Sequence, residues 1–246
     1  MNNNINIEGS SIVFNDLIDY SEIVSQSGTF TNYVLVFDTD YYHITKLYLN
    51  KAIWYFYTVN SIIKKNDDTF NYLMSILFRI VNVLDGNVTN EKLNIEDFSK
   101  MPLFEIYKKF KVSPSNSKEH IDLSYDYWTK FYWIFLHYMS ICVDVHEITK
   151  QLFASFLMQF DQLIPCHNCS HNYKAKQPHK YLFCPIYSGQ NCTTAIYNLH
   201  NMVNKALYKK QFTIEEFCDR FDAKLIKTER LKIKDECWSE CNKLSV

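Results

Sequence analysis

The amino-acid sequence predicts an all-α protein, and three of its features favour this class. The chain of 246 residues has only 4 Gly and 5 Pro, which are too few turn-forming residues for a many-stranded β fold. Hydrophobic residues make up 47% of the sequence, so a sizeable core can form. Several long segments also repeat apolar residues at intervals of three or four positions, which is the spacing of an amphipathic helix.

The first half of the chain predicts mostly helical structure and carries no chemical motif. Residues 12–23, 47–63 and 70–84 are expected to form helices, and residues 34–37 are expected to form a short strand. Residues 1–110 contain no cysteine, so we interpret them as a scaffold or an interface.

A polar run at residues 111–118 divides the chain near its middle. It holds Pro114 among serines, lysines and an asparagine, a composition typical of a loop. The sequence therefore predicts two domains, residues 1–114 and residues 115–246.

The second domain opens with three predicted helices. The first covers residues 124–145, and the third begins at Cys166 and ends by Gln177. The second helix lies between them and is ended by Pro165. Its apolar face is formed by Leu152, Phe153, Phe156, Leu157, Phe160 and Leu163.

Two further helices complete the prediction for this domain. Residues 183–190 contain a proline and a glycine and are expected to form a loop. A fourth helix is expected over residues 193–210, and a short fifth helix begins at Thr213, which forms a capping box with Glu216. Four helices and a short fifth fit a small helical bundle.

Charge and hydropathy exclude two classes of partner. The formal net charge is −1, so no general basic field points to nucleic acid. No segment reaches the roughly 20 apolar residues that a membrane span requires, and the N-terminus does not resemble a signal peptide. Eight cysteines without a secretory signal are expected to be catalytic, metal-bound or buried.

The sharpest local feature is a Cys-x-x-Cys motif, Cys166 and Cys169, at the start of a helix. The helix dipole and the unpaired N–H groups at this position stabilise a thiolate, and the second cysteine is close enough for a disulfide. A zinc half-site or two buried thiols are the alternatives, and zinc would need further ligands such as Cys184, Cys192 or His171. A thioredoxin-like site is disfavoured because the preceding residues have helical periodicity rather than a strand pattern.

Two other patterns place polar and aromatic groups on helix faces. Trp133 and His137 are one turn apart and could together hold an adenine ring and its ribose, although a core Trp beside a hydrogen-bonded His is the alternative. His200 and Asn204 share a face in the same way, as either a ligand-binding face or a solvated one. The polar residues beside them are Asn201 and Lys205.

The order of these three blocks resembles the Erv/ALR family of FAD-linked sulfhydryl oxidases. The blocks are Trp-x3-His, Pro-Cys-x2-Cys and His-Asn-x-Val-Asn, spaced about 30 residues apart. The additional cysteine-free N-terminal half is most similar to the baculovirus P33 branch of that family, or to a homologue from another large DNA virus.

The resemblance implies a fold, a cofactor and an activity. The family fold is a four-helix bundle with a short fifth helix that holds FAD. Cys169 would be the sulfur next to the flavin and Cys166 would exchange with protein dithiol substrates, with electrons passing to O2 to give H2O2. The residues implied to contact FAD are Trp133, His137, Tyr173, His200, Asn201, Val203, Asn204 and Lys205.

The P33-like resemblance implies further properties of the whole chain. The N-terminal half would be a degenerate Erv-like bundle without cofactor that serves as a scaffold and in dimerisation, and the protein would form a homodimer. Viral relatives act in the host cytoplasm or nucleus and are found in virions. A zinc-binding interaction module and a catalytically dead viral structural protein remain as alternative functions.

The remaining cysteines depart from the family pattern. Tyr197 occupies the position of a structural cysteine found in cellular members, so Cys218 has no predicted partner. Cys184 and Cys192 are expected either to form a disulfide across their loop or to stay as thiols. Cys142 is expected to be a buried core thiol.

The C-terminal pair Cys237 and Cys241 resembles, in position only, the shuttle cysteines of some family members. We hypothesise that it passes electrons to Cys166. The alternative is two incidental tail thiols or a local structural bridge.

Overall fold

The computed structural model describes six stretches of the chain, residues 29–37, 41–63, 67–84, 124–221, 223–232 and 234–237. The helix predicted at residues 12–23 and the domain boundary predicted at 111–118 lie outside the described residues, so the boundary stays a prediction.

The described part of the first half contains one strand and two helices. Strand β1 is Thr29–Phe37, helix α1 is Tyr41–Ile63 and helix α2 is Asp67–Leu84. All three were predicted, although each begins several residues before the predicted start.

The second half is helical up to a final strand. Its helices are α3 (Tyr125–Val143), α4 (Glu147–Met158), α5 (His167–Ala175), α6 (Cys184–Tyr187), α7 (Cys192–Ala206) and α8 (Ile214–Arg220), and its strand is β2 (Ala223–Lys232). A 3₁₀ turn at Phe160–Leu163 follows α4, and a π turn at His179–Phe183 precedes α6. The helical fold class is confirmed, and none of the helices in the described stretches is long and apolar enough to cross a membrane.

The ends of two helices show how local chemistry sets their length. The capping box predicted at α8 is present, because the Glu216 N–H donates to Thr213 Oγ1 at 3.1 Å and the Thr213 N–H donates to Glu216 Oε2 at 3.0 Å. Helix α7 ends at Ala206, four residues before the predicted end. Tyr208 then adopts a left-handed conformation with φ 54°, which turns the chain away from the helix axis.

The loop predicted at residues 183–190 is wrong, because most of this stretch is helical. Pro185 lies in the first turn of α6, where a backbone N–H has no partner within the helix, so proline is tolerated there. The helix ends at Tyr187 and Gly189 then turns the chain with φ 109°, a value that favours glycine.

The N-terminal helices share one hydrophobic core with the second half. Helix α1 packs against α3 and α2 packs against α4. The Tyr55 and Phe56 rings of α1 meet the Tyr132 ring of α3 edge-on, with centroids 5.9 and 5.4 Å apart. Burying a side chain such as Phe56, which is 1% exposed, contributes about 1.5–3 kcal/mol. The described part of the first half therefore braces the bundle, and its role as a separate scaffold domain stays a prediction.

Two helices of the second half are clamped to each other by a carboxylate. Asp144 ends α3 and accepts hydrogen bonds from the Cys192 and Thr193 N–H groups at 2.7 and 3.0 Å and from Thr193 Oγ1 at 2.6 Å. These N–H groups lie at the start of α7. A negative charge there also interacts favourably with the positive end of the helix dipole. The end of α3 and the start of α7 are thus fixed relative to each other.

Strands β1 and β2 form a two-stranded antiparallel sheet. Thr29 pairs with Lys232 and Phe37 pairs with Ala223, with a bulge between Val34 and Leu35. The sheet is an addition to the predicted fold. Strand β2 was missed because five of its ten residues are charged. Such a composition is typical of a solvent-exposed segment, and the sequence does not show that β1 pairs with it.

Candidate active site

A cavity of about 520 Å³ opens between α3, α7 and the residues around α5. This volume falls within the range of about 300–1,000 Å³ that is typical of sites for small molecules and cofactors. Most of its lining is apolar, and the polar groups come from a few side chains on different elements.

An aromatic and imidazole wall forms one side of the cavity. The His200 ring of α7 stacks on the Trp133 ring of α3 with centroids 3.9 Å apart and planes 6° apart. His137, one turn after Trp133, places its Nε2 at 2.9 Å from His200 Nδ1. The two faces predicted from helical spacing therefore meet across the α3–α7 contact.

Both imidazoles of this wall are held in the neutral form at pH 7. Burial, together with the charges of Arg220 and Lys209, lowers the pKa of His200 to about 4. Burial also lowers the pKa of His137 well below its usual value. In a neutral pair one ring donates and the other accepts, so the second nitrogen of His137 needs another partner. That atom, Nδ1, is buried and has no hydrogen-bond partner among the described residues.

Positive charge surrounds the cavity. Lys130, Lys176, Lys209 and Arg220 line it, whereas Asp126 supplies the single carboxylate among the described lining residues. The excess of cations suits a ligand with phosphate groups. Sequence analysis missed these four residues because they come from separate elements and form no local motif.

The predicted cysteine pair lies at the start of α5. Cys166 caps the helix, and its Sγ accepts a hydrogen bond from the Cys169 N–H at 3.3 Å. A hydrogen bond from the Cys169 thiol lowers the pKa of Cys166 to about 6, assisted by the Cys169 and Asn168 N–H groups and by the charge of His167. The pKa of the Cys169 thiol is raised, because it donates that hydrogen bond to Cys166 and is partly buried.

The two sulfurs face different surroundings. Cys169 belongs to the lining of the cavity, whereas Cys166 is not among the described residues that line it. Both are partly exposed, and both are present as thiols. The arrangement can pass electrons from a group outside the cavity to a ligand inside it.

Three side-chain hydroxyls, two from α5 and one from α3, hold α5 and the 3₁₀ turn in place. Ser170 Oγ donates to the Asp161 carbonyl at 2.8 Å, and Tyr173 Oη donates to the Leu157 carbonyl at 2.6 Å. Tyr132 Oη from α3 donates to the carbonyl of Leu163. These bonds fix the 3₁₀ turn and the cysteine pair beside the cavity, and nothing in the local sequence pattern indicated them.

Six of the eight predicted cofactor residues line the cavity, namely Trp133, His137, Tyr173, His200, Val203 and Asn204. The other two, Asn201 and Lys205, are not in the described lining, because they lie on the side of α7 away from the face that carries His200, Val203 and Asn204. The Asn201 amide instead pairs with the backbone of Phe212, accepting from its N–H at 2.7 Å and donating to its carbonyl at 2.8 Å. Asn201 thus positions Phe212, which does line the cavity.

The cysteines outside the pair correct two expectations. Cys184 and Cys237 form a disulfide, so the bridge between Cys184 and Cys192 is wrong. Cys192 is a buried thiol at the start of α7. The shuttle pair of Cys237 and Cys241 also needs correction, because the sulfur of Cys237 is already bonded to Cys184. Cys241 lies outside the described residues.

Two other cysteine expectations have clear outcomes. Cys142 is a buried core thiol, as predicted, and packs in a small cluster with Phe217 and Phe221. Cys218 is a partly buried thiol of α8.

The rival interpretations of the cysteine pair find no support in the described residues. Within them, the one cluster with metal-ligand spacing is His179, Cys184 and Cys237, which does not include Cys166 or Cys169. The pair is preceded by α4 and a 3₁₀ turn rather than by a strand, which disfavours a thioredoxin-like site.

A helical bundle that presents one cysteine of such a pair to a cationic and aromatic cavity has an arrangement suited to thiol–disulfide exchange. Residues 130–222, less than half of the 246-residue chain, match the model of the Erv1 / Alr family. This match supports an Erv/ALR-type sulfhydryl oxidase, a family of FAD-linked enzymes that act on dithiols. Comparison with curated proteins and with solved structures gives no significant match.

Proposed function

We propose that the protein is an FAD-dependent sulfhydryl oxidase that makes disulfides in substrate proteins and passes the electrons to O2, giving H2O2. The observation that carries the proposal is the division of the cysteine pair, with Cys169 in the wall of the cavity and Cys166 outside it. The match of residues 130–222 to the Erv1 / Alr family supports the same activity.

The residues of the cavity fit FAD. The stacked Trp133 and His200 rings give a flat surface for an adenine ring, and the buried His137 Nδ1 is a polar atom in need of a partner. The cations around the cavity, such as Lys176 and Arg220, suit the diphosphate. The bound flavin would supply two-electron redox chemistry, which protein side chains alone cannot provide.

The chain's own residues carry out the thiol exchange. A substrate thiolate attacks Sγ of Cys166 in the oxidised pair, the bond between Cys166 and Cys169 breaks, and Cys169 leaves with the electron pair. The second substrate thiolate then attacks the substrate sulfur bonded to Cys166. The substrate disulfide forms, and Cys166 leaves as a thiolate.

The lowered pKa of Cys166 favours the second of these steps. A thiol of pKa about 6 leaves more readily than an ordinary one, because its thiolate is already stable at neutral pH. The exchange leaves the pair as a dithiol that holds two electrons and two protons from the substrate. Cys169, which lies in the cavity wall, is placed to deliver these electrons to the flavin.

Two measurements on the purified protein test this function. A flavin absorbance band is expected together with oxygen consumption when a small dithiol is added. Cys166→Ser and Cys169→Ser should each abolish turnover, while the matched Cys218→Ser variant of α8 should keep it. Zinc without flavin would favour an interaction module, and flavin without turnover would favour a catalytically dead structural protein.

We further propose, from the resemblance to the P33 branch, that the protein is a viral homodimer that acts in the host cytoplasm or nucleus and is carried in virions. The N-terminal half, with α1 and α2 braced against the bundle, would contribute to dimerisation. Light scattering that gives the mass of a single 29.3 kDa chain would contradict the dimer.

A further inference from the structure

We propose that His179, Cys184 and Cys237 form a zinc site in the reduced protein, so that this cluster alternates between a disulfide and a bound metal ion. The three residues come from the π turn, the start of α6 and the C-terminal segment 234–237. Their ligand atoms all lie within 4.8 Å of one another.

One of the distances between ligand atoms already fits a zinc site. His179 Nδ1 is 3.6 Å from Cys184 Sγ. A tetrahedral zinc ion with bonds of about 2.0 Å to nitrogen and 2.3 Å to sulfur separates two such ligands by about 3.5 Å. The two sulfurs, now in a bond, must separate to about 3.8 Å for the same ion to bind both, and the His179 nitrogen and the Cys237 sulfur, which lie within 4.8 Å of each other, must be brought to about 3.5 Å.

Aromatic stacking orients the imidazole of this cluster. The His179 ring lies against the Phe183 ring at 5.4 Å, and Phe183 lies against Tyr187 at 5.9 Å, so that residues four apart form a column along the π turn and α6. A histidine with a fixed ring plane loses less rotational freedom on binding a metal ion than an unrestrained one.

Contacts other than the disulfide keep Cys237 near its partners. The Lys234 N–H donates to Ser188 Oγ at 2.8 Å, and the Lys234 ammonium lies 4.5 Å from the centroid of the Tyr187 ring. These contacts anchor segment 234–237 on α6 independently of the sulfur–sulfur bond. Opening of the disulfide would therefore leave both thiols close to His179.

The change from disulfide to zinc site needs only a dithiol reductant, a zinc ion and water. A dithiol reductant gives two electrons and two protons to the Cys184–Cys237 disulfide and is itself oxidised to a disulfide. Zinc then displaces the two protons from the thiols and binds the thiolates and the neutral imidazole. A water molecule completes the four-coordinate ion. The site is separate from the proposed flavin cavity, so either proposal can fail alone.

Zinc titration of the full-length protein, against a chromophoric chelator under argon, tests the site. After treatment with a small dithiol and desalting, about one zinc ion per chain is expected, and the untreated protein should bind none at this site. His179→Ala, Cys184→Ser and Cys237→Ser should each weaken binding by more than the roughly 10–100-fold that loss of an outer-sphere partner costs. His171→Ala and Cys218→Ser are the matched controls and should bind zinc as the parent does.

Two variants make the outcome decisive. His179→Ala leaves both cysteines in place, so its oxidised form still closes the disulfide and a loss of zinc cannot be ascribed to misfolding. Cys166→Ser/Cys169→Ser should retain the ion, which separates the proposed site from the active pair. The proposal is overturned if the reduced protein takes up no zinc, if uptake survives His179→Ala, or if it disappears in Cys166→Ser/Cys169→Ser.

Discussion

The His200 ring lies flat on the Trp133 ring, with centroids 3.9 Å apart, and its Nδ1 is hydrogen-bonded to His137. One imidazole on α7 is thus fixed by two residues that are one turn apart on α3. The position of this wall depends on the packing of α3 against α7, which the Asp144 clamp also holds.

The first prediction concerns this wall. We expect His200→Ala to lower the affinity for FAD about tenfold, because it removes one aromatic stacking partner of the site. Flavin fluorescence during titration of the apoprotein measures the affinity. Asn198→Ala is the matched control on the same helix, since Asn198 is outside the described lining and is not among the residues implied to contact FAD. Equal losses in the two variants would contradict the assignment.

The second prediction separates a structural role from a binding role on α7. Asn201→Ala should lower the free energy of unfolding by about 2 kcal/mol, because it leaves the Phe212 N–H and carbonyl without their partners. Urea unfolding measures this change, with Lys205→Ala as the control. A variant that keeps full stability but loses flavin would instead place Asn201 at the cofactor.

The third prediction concerns the pH dependence of the cysteine pair. In the dithiol form, alkylation of Cys166 by iodoacetamide should rise with pH around a midpoint of about 6 and level off above pH 7, since only the thiolate reacts. Peptide mass spectrometry at each pH measures the rate at this residue. The solvent-accessible thiol of a small peptide provides the reference, and a midpoint for Cys166 as high as that reference would refute the lowered pKa.

The fourth prediction concerns the Cys184–Cys237 disulfide, whose cysteines are 53 residues apart in the chain. In oxidised protein, Cys184→Ser/Cys237→Ser should lower the free energy of unfolding by about 4 kcal/mol, the loop-closure value for a loop of this length. The same comparison in reducing buffer with a zinc chelator should show a much smaller difference. If the difference were the same in both buffers, the effect would not come from the covalent bond.

The fifth prediction follows from the correction of the shuttle pair. Because Cys237 is bonded to Cys184, Cys241→Ser is expected to leave the oxidation of a protein dithiol unchanged. Oxygen consumption with a reduced protein substrate measures this, and Cys166→Ser provides the inactive control. A selective loss with the protein substrate, but not with a small dithiol, would restore the shuttle hypothesis.

The features that could be predicted from the sequence are those that depend on residue spacing within one helix. The faces of Trp133/His137 and His200/Asn204 follow from residues four apart, and the Thr213 capping box follows from residues three apart. The helical fold and the start of α5 at the cysteine pair could be predicted for the same reason.

The sequence could not show what depends on distant parts of the chain. Lys176 and Arg220 meet at the cavity only through the packing of separate helices. The bond between Cys184 and Cys237 and the pairing of β1 with β2 join segments that have no common pattern. Nor could it show the hydrogen bonds of Asn201 to the Phe212 backbone, because a polar side chain that holds a neighbouring loop and one that faces a ligand look alike in a sequence.

The β1–β2 sheet also affects the order in which the protein can fold during synthesis. Its strands are separated by about 200 residues, so β1 leaves the ribosome long before β2 has been translated. At about 5–20 residues per second, β1 waits without its partner for roughly 10–40 seconds, while the helices between the strands can already pack. We therefore expect the helices from α1 to α6 to pack against one another before the β1–β2 sheet forms.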